Sequence, residues 1–265
     1  MARDLGNVAP SRPYGVHTLL DEPGLAVREV VCGHGRRSPT FSGEFTRARI
    51  VLILSGAFHA RTSAGDVLVA PSTLLLGNAA EAYEYRHVDD GGDRSLLFEY
   101  ADRPPFRQAA APASAALAVL AEEALRDGDP ERLREAALLA AGAALAAAGE
   151  RRPPWSRAQA ARAAQVLRYI EAHSDEDCSL AALASQAGLS RYHFLRIFRG
   201  LTGKTPRQHL IATRLRTAAR RLVATRTPVT RVALDAGFGD LSHFIASFSR
   251  AFGASPRTFR ASARR

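Results

Sequence analysis

Arg191, Tyr192, Leu195, Arg196 and Arg199 fall at helical spacing, opposite Phe194, Ile197 and Phe198. A guanidinium held outward on a helix can grip two acceptors at once, which suits the edge of guanine or two oxygens of a phosphate. Tyr192 and Leu195 on the same face suit thymine methyls and sugar edges. The segment then returns. Tyr192-His193-Phe194-Leu195-Arg196-Ile197-Phe198, with Gly203, Pro206 and Arg207, recurs 50 residues later as Ser242-His243-Phe244-Ile245-Ala246-Ser247-Phe248, with Gly253, Pro256 and Arg257. Upstream, Leu183-Ala184 with Ala187-Gly188 recurs 49 residues later as Val232-Ala233 with Ala236-Gly237. A repeat of this kind marks one structural unit used twice.

Each unit must place such a face outward, and the spacing says how. Leu180, Leu183, Ala184 and Ala187 lie on one helical face, with Ala184 small where a second helix crosses. Gly188 occupies a turn that calls for positive φ, Leu189 points inward, and Ser190 offers an N-cap hydroxyl to a helix from Arg191 to about Leu201. The second unit repeats this with Val229, Val232, Ala233, Ala236, Gly237 and Phe238, with one extra turn residue before Ser242. Helix, glycine turn and outward-facing helix is the layout of a DNA-reading helix-turn-helix. His193 and His243 sit beside the buried phenylalanines, where a structural or phosphate-contacting role is expected rather than catalysis.

Ser179-Leu180, Ala184, Gly188-Leu189-Ser190, His193-Phe194, Phe198, Thr202-Gly203 and Thr205-Pro206 carry a resemblance, together with Gly237-Phe238, Ser242-His243-Phe244, Phe248, Phe252-Gly253 and Ser255-Pro256. Over roughly residues 156–262 the chain resembles the DNA-binding domain of AraC-type bacterial transcription regulators. The resemblance implies seven helices, with a long one over about residues 207–224 joining two helix-turn-helix subdomains. It implies double-stranded DNA as partner and assigns base contact to Arg196. Its further implications are a homodimer, RNA polymerase as a second partner, and activation more often than repression. The expected DNA contacts are Ser190, Arg191, Tyr192, Leu195, Arg196 and Arg199 in the first unit, and Asp240, Leu241, Ser242, His243, Ile245 and Ala246 in the second. Arg207, Arg250 and Arg257 are expected on phosphates. Ala246 stands where the family usually carries a basic residue, so the first unit is expected to carry most of the sequence discrimination.

Charge follows the same division. Residues 151–265 hold 21 Arg and Lys against 6 Asp and Glu, a net +15, whereas residues 1–150 hold 15 against 20, a net −5. A basic face that displaces counterions from phosphate accounts for that split. Two cysteines, Cys32 and Cys178, do not make a disulfide framework. With no run of 18 apolar residues and no signal-peptide pattern over residues 1–20, the expectation is a cytoplasmic protein without membrane association.

The N-terminal half reads as β-rich. Residues 1–20 are expected as a loosely held arm. Strands are predicted over 26–31, 48–54, 57–61, 66–70 and 96–100, separated by turn signals at Ser55-Gly56, Gly65, Gly77-Asn78 and Gly91-Gly92. Leu54-Ser55-Gly56, Ala64-Gly65-Asp66 and Ala70-Pro71 resemble the cupin-like small barrel that often precedes AraC-type domains. Residues 112–149 read as two helices broken at Asp127-Gly128-Asp129-Pro130, a terminal glycine followed by an N-cap and a first-turn proline. Leu133, Leu138, Leu139 and Leu145 give the second helix an apolar face, for packing on the barrel or for dimerisation. The class is therefore α+β: a cupin-like effector domain over 1–110, a helical segment over 111–150, a Pro-stiffened linker over 151–157, and the DNA-binding domain over 158–265.

Arg61, Tyr83, Tyr85 and His87 are the candidates for lining an effector pocket, or for the solvent face of a hairpin. His34, His59 and His87 offer imidazoles, but there is no His-x-His with a following Glu, no HExxH and no CxxC. No metal and no cofactor is expected. Two other readings stay open: a cupin-type enzyme tethered to a DNA-binding domain, against which stands the missing metal triad, and a DNA-binding protein with no effector.

Overall fold

The computed structural model describes residues 14–71, 73–88, 90–101, 105–147 and 156–262. The expected linker at 151–157 lies almost wholly outside the described residues. Among the described residues ten strands come first: β1 (Tyr14–Glu22), β2 (Leu25–Cys32), β3 (Phe41–Glu44), β4 (Ala48–Gly56), β5 (Phe58–Thr62), β6 (Gly65–Val69), β7 (Thr73–Gly77), β8 (Ala82–His87), β9 (Asp93–Tyr100) and β10 (Ala110–Pro112). Helices follow, nine among the described residues: α1 (Ala115–Asp127), α2 (Pro130–Ala146), α3 (Arg157–Ala172), α4 (Leu180–Gln186), α5 (Arg191–Thr202), α6 (Pro206–Ala224), α7 (Val229–Asp235), α8 (Leu241–Phe252) and α9 (Pro256–Ser262).

The strands form two antiparallel sheets, one ordered β1-β2-β9-β4-β7-β10 and the other β3-β8-β5-β6. Apolar side chains alternate between two cores. Val51, Ile53, Leu75 and Leu97 face Phe58, Ala60, Val67 and Val69 of the smaller sheet, while Ile50, Leu52, Leu74, Leu76, Leu96 and Phe98 point the other way, onto Leu117, Ala121, Leu133 and Ala137 of α1 and α2. With both faces covered, β4 and β7 read as continuous apolar runs rather than alternating ones. Residues 14–20, expected as an arm, are instead part of β1, which pairs with β2 from Tyr14↔Cys32 to Glu22↔Leu25. Val16, at 40% exposed, shows why its hydrophobic pattern was weak: β1 is an edge strand with a wet face.

The helical break falls as the punctuation required. Gly128 closes α1 at φ +64°, and Asp129 caps α2 by accepting from Glu131 N at 2.9 Å, with Pro130 in the first turn. The face of α2 differs from expectation, however. Its buried residues are Leu133, Ala136, Ala137, Ala140 and Ala144, whereas Leu138, Leu139 and Leu145 are exposed at 73%, 46% and 69%. Alanines let the helix lie close to the sheet, and the leucines turn away from it.

The C-terminal helices lie against this two-sheet body at two places. Leu68, Ala70 and Val88 from the smaller sheet and its loops join one buried cluster with Ala160, Leu167, Phe194 and Phe198 of α3 and α5. Val119 of α1 joins another with Leu215, Leu222, Phe244 and Phe248 of α6 and α8. Arg220 on α6 is clamped by both carboxylate oxygens of Glu122 on α1. Among the described residues, no helix is long and apolar enough to cross a membrane.

Candidate nucleic-acid interface

Phe194, Ile197 and Phe198 on α5, and Phe244 and Phe248 on α8, are each no more than 2% exposed. These anchors fix which way each helix turns its other face. Phe194 and Phe198 meet at 5.5 Å between ring centroids, as do Phe244 and Phe248. Phe248 also stacks on Phe252 at 4.4 Å and meets Phe259 edge-on at 5.3 Å. The two helix starts are equivalent. Ser190 Oγ accepts from His193 N at 3.4 Å, and Asp240 Oδ1 accepts from His243 N at 2.9 Å. Backbone hydrogen bonds from His243 and Ser242 hold the Asp240 carboxyl below its usual range. Asp240 therefore starts α8, and the extra turn residue lies between Gly237 and Asp240, so α8 begins at Leu241. Gly188 and Gly237 take φ +61° and +87°, the left-handed turns the repeat demanded.

Turned outward are Arg191, Tyr192, Arg196 and Arg199 on α5, with Tyr192 80% exposed, and Leu241, Ser242, His243, Ile245 and Ala246 on α8. Leu195 is half-buried, and Ser190 is exposed at its cap. Leu195 and His243 both line one cavity of about 500 Å³, as do Arg207, Ile211 and Arg214 of α6. Both outward faces thus border a single cleft. The connector α6 has 19 residues and spans about 28 Å at 1.5 Å per residue.

Two sets of arginines stand apart, besides Arg162 and Arg226, which are exposed and carry no side-chain hydrogen bond or ion pair among the described residues. Arg214 donates to the carbonyls of Ser174 and Glu176 at 2.6 and 2.8 Å, and Arg260 to those of Leu222 and Thr227 at 3.2 and 2.5 Å. Arg216 pairs with Glu171 at 2.6 Å, while Arg221 and Arg231 share Asp235 at 3.0 and 2.9 Å. These hold the fold. Arg191, Arg196, Arg199, Arg207, Arg250 and Arg257 are exposed and have no side-chain hydrogen bond or ion pair among the described residues. They are the six arginines singled out for DNA from spacing and resemblance, and each guanidinium is available to a phosphate or base.

Residues 183–262 match a family described as a helix-turn-helix domain. The MmsAB operon regulatory protein of Pseudomonas aeruginosa is 32% identical over 92 residues, which is 35% of this chain and 30% of that protein. The HTH-type transcriptional activator RhaS of Salmonella schwarzengrund is 36% identical over 96 residues, 36% of this chain and 34% of that protein. This segment is an AraC-type domain. The chain thus spans about a third of the length of the curated relatives it matches. A crystal structure of the DNA-binding domain of AdpA with a target DNA is 36% identical, covering 39% of this chain and 93% of that one, with a TM-score of 0.38. Among the described residues this domain has seven helices, α3 to α9, from residue 157 onward.

Outside the AraC-type domain, the N-terminal candidates separate by strand alternation. Ala60↔Tyr85, Thr62↔Tyr83 and Phe58↔His87 pair on the inner face, while Arg61↔Glu84 and His59↔Arg86 pair on the outer one. Tyr83 and Tyr85 stack at 4.5 Å, and Tyr83 stacks on Phe45 at the same spacing. Arg61 is not among them. It lies outside, 61% exposed and bonded to Asp66 at 2.8 Å. The three histidines separate likewise. His34 and His87 approach, with ring centroids 6.0 Å apart, whereas His59 is on the other face.

Beside His34 and His87 the structure gathers two residues the sequence did not single out. Cys32 Sγ lies 3.2 Å from His34 Nδ1 and 3.3 Å from His87 Nε2, and that same Nε2 lies 3.0 Å from Asp93 Oδ2. Burial alone would lower the His87 pKa, but hydrogen bonding to Asp93 and Cys32 overrules it and pushes the ring up to about 9. Thiol and carboxylate meet one nitrogen, so this is not the relay of nucleophile, base and acid, which uses both ring nitrogens. His87 Nδ1 is buried and has no hydrogen-bond partner among the described residues. Cys32-Gly33-His34 was the available signal, but Asp93 is brought there by the pairing of β9 with β2, which sets it opposite Cys32.

Proposed function

We propose that the chain is a sequence-specific DNA-binding transcription regulator whose N-terminal body senses an effector. The observation that carries this is the sorting of arginines around two outward helices on one cleft. Six unengaged guanidiniums lie on or beside helices whose buried faces are fixed by phenylalanines. Arg196 reads guanine, while Arg191, Arg199, Arg207, Arg250 and Arg257 hold phosphates and set register. On α8, Leu241, Ile245 and Ala246 offer only van der Waals contact, so the second unit contributes affinity more than discrimination.

RhaS is by name a transcriptional activator, and the same role is proposed here, with RNA polymerase as partner. The two-sheet body is proposed to be a cupin-like domain over residues 1–110, followed by the helical segment 111–150, the linker 151–157 and the DNA-binding domain 158–265. The exposed leucines of α2 support a homodimer through that helix. A cytoplasmic location and the lack of an enzymatic step follow from this role. Selection from a random DNA pool by the full chain at about 150 mM salt tests the reading, because a basic domain binds any sequence at low salt. An enriched motif of two blocks about one helical turn apart is expected. Uniform recovery of sequences with and without every candidate effector would overturn it.

A further inference from the structure

We propose that Cys32, His87 and Asp93 form a Zn²⁺ site at the base of the β8–β9 turn, and that its occupancy is transmitted to the DNA-binding helices. The three donors come from different strands: the end of β2, the end of β8 and the start of β9. Cys32, His87 and Asp93 are 7%, 6% and 9% exposed, and the three donor atoms lie within 4.8 Å of one another. A tetrahedral Zn²⁺ with metal–ligand bonds of about 2.0–2.3 Å sets its ligand atoms about 3.3–3.6 Å apart. The observed edges of 3.3 Å for sulfur to nitrogen and 3.0 Å for nitrogen to oxygen require an opening of a few tenths of an ångström.

The donor chemistry selects the ion. A thiolate and an imidazole suit a borderline-soft cation, and one carboxylate is an ordinary third ligand, whereas Ca²⁺ and Mg²⁺ would require oxygens. Without a cation, the single Nε2 faces both the thiol and the carboxylate and can give its one hydrogen to only one of them. A metal between them satisfies all three, releasing the thiol proton on binding. His34, whose Nδ1 lies 3.2 Å from the same sulfur, stands next to the site as a second imidazole. His34 and His87 both meet Phe41 edge-on, at 4.9 and 5.7 Å, so an aromatic ring closes one side.

The place of the site gives it a consequence. The turn between His87 and Asp93 touches the DNA-binding half directly. Val88, next to the ligand His87, belongs to the buried cluster of Ala160, Ala164 and Leu167 on α3. Gly91, at the turn's tip, is pressed so closely on the Arg168 guanidinium of α3 that a side chain would collide with it. At the other end, Gly92 takes φ +67°, and a side chain there would collide with the Cys32 carbonyl. Opening the His87–Asp93 edge around a common ion moves both ends of this short turn, and the contact with α3 moves with them. This transmission rests on the DNA-binding reading; the metal site itself does not.

The test is a Co²⁺ titration of the full chain, stripped with chelator and kept reduced, followed by displacement with Zn²⁺. One equivalent is expected, with the near-ultraviolet charge-transfer band of a cobalt–thiolate bond and the visible bands of a tetrahedral ion. Cys32→Ser should abolish the charge-transfer band and weaken binding at least tenfold, while Cys178→Ser should change neither. Asp93→Asn serves as a second variant should Cys32→Ser melt far below the parent; it should weaken binding while keeping the thiolate band. Absence of a thiolate band, or full-strength binding in both variants, would overturn the site. DNA affinity measured with and without Zn²⁺ then reads the transmission: a several-fold change confined to proteins with Cys32 supports it. Stoichiometric metal with unchanged DNA affinity would overturn transmission and leave the site standing.

Discussion

Lys204 Nζ donates to the carbonyl of Ala113 at 3.0 Å, so the chain's only lysine, two residues beyond α5, is engaged with the N-terminal body and not with DNA. Burial, with the charge of Arg216 adding to it, pulls its pKa down to about 8. The unfolded chain therefore holds this proton up to a pKa near 10.4 while the folded chain gives it up near 8. Between those values the unfolded state binds more protons, and stability rises with pH. Thermal melts of the parent and of Lys204→Met across pH 7 to 10.5 should show the parent gaining on the variant above pH 8. A constant difference in Tm over that range would contradict the assignment.

Arg196 and Arg257 should separate reading from holding. Arg196→Ala is expected to lower affinity for the selected site by about 1–3 kcal/mol, roughly 5- to 150-fold, and to relax preference at one guanine. Arg257→Ala should weaken all sequences alike and reduce the slope of log affinity against log salt by about 1. Competition assays on matched and mutated sites at several salt concentrations check both. Ala246→Arg should add preference at a position in the second half-site. Intact sequence preference in Arg196→Ala would remove it from the role of base reader.

The helical half was legible because its signals are local. Ser190, Gly188, Gly203 and Pro206 punctuate the chain within one turn of where they act, and Phe194 and Phe198 give a clear 3.6-residue face. The β half was legible only where strands alternate or run apolar, as in β2 and β4. Short β3, with Gly43 packed under the Tyr83 ring, has no such pattern and is held by pairing Phe41↔Tyr85 across the sheet. The Cys32–His87–Asp93 cluster was not legible for a similar reason. His87 is 55 residues from Cys32 in sequence, and only the register Cys32↔Asp93 between β2 and β9 brings the carboxylate to the thiol. Among the alanines and leucines of α2, composition could not say which residues meet the sheet.

Leu138 and Leu145, seven residues apart on the exposed side of α2, give the dimer a test. Sedimentation of the parent should show a dimer, and the double variant Leu138→Glu with Leu145→Glu should be monomeric at the same concentration with its melting temperature nearly unchanged, since neither side chain is buried in the monomer. A monomeric parent, or a dimer that survives both charges, would move the interface elsewhere.

The two turn glycines should differ in tolerance although the repeat makes them equivalent. At Gly188, with φ +61°, a Cβ would meet nothing within 4 Å, so Gly188→Ala costs only left-handed strain, about 1 kcal/mol. At Gly237, with φ +87°, a Cβ would lie 2.8 Å from Asp175 Cα and from the Ser174 carbonyl oxygen. Gly237→Ala should cost the same strain plus the displacement of that backbone, at least about 2 kcal/mol. Urea unfolding of both variants checks the order, and equal losses would show that the chain before α4 gives way freely.

Glu171 ties α3 to α6 and should set the acid limit of the AraC-type domain. Its Oε1 accepts from Arg216 at 2.6 Å and from Thr213 Oγ1 at 3.1 Å, with the buried His209 ring nitrogen 3.6 Å away. Burial opposes ionisation of the carboxyl, but His209 and Arg216 overrule it and bring its pKa down to about 2. A depressed carboxylate stabilises fully above its unfolded value near 4.3 and loses that contribution as pH falls toward the folded value. Glu171 therefore contributes at pH 6, loses this contribution progressively between about pH 4.5 and 2, and leaves Arg216, only 3% exposed, buried without its carboxylate. Glu171→Gln should melt lower than the parent at pH 6, and the gap should narrow as both are taken below pH 4. Helicity followed by circular dichroism across that range decides it: a gap that stays the same from pH 6 to pH 3 would mean that Arg216 is held by other partners.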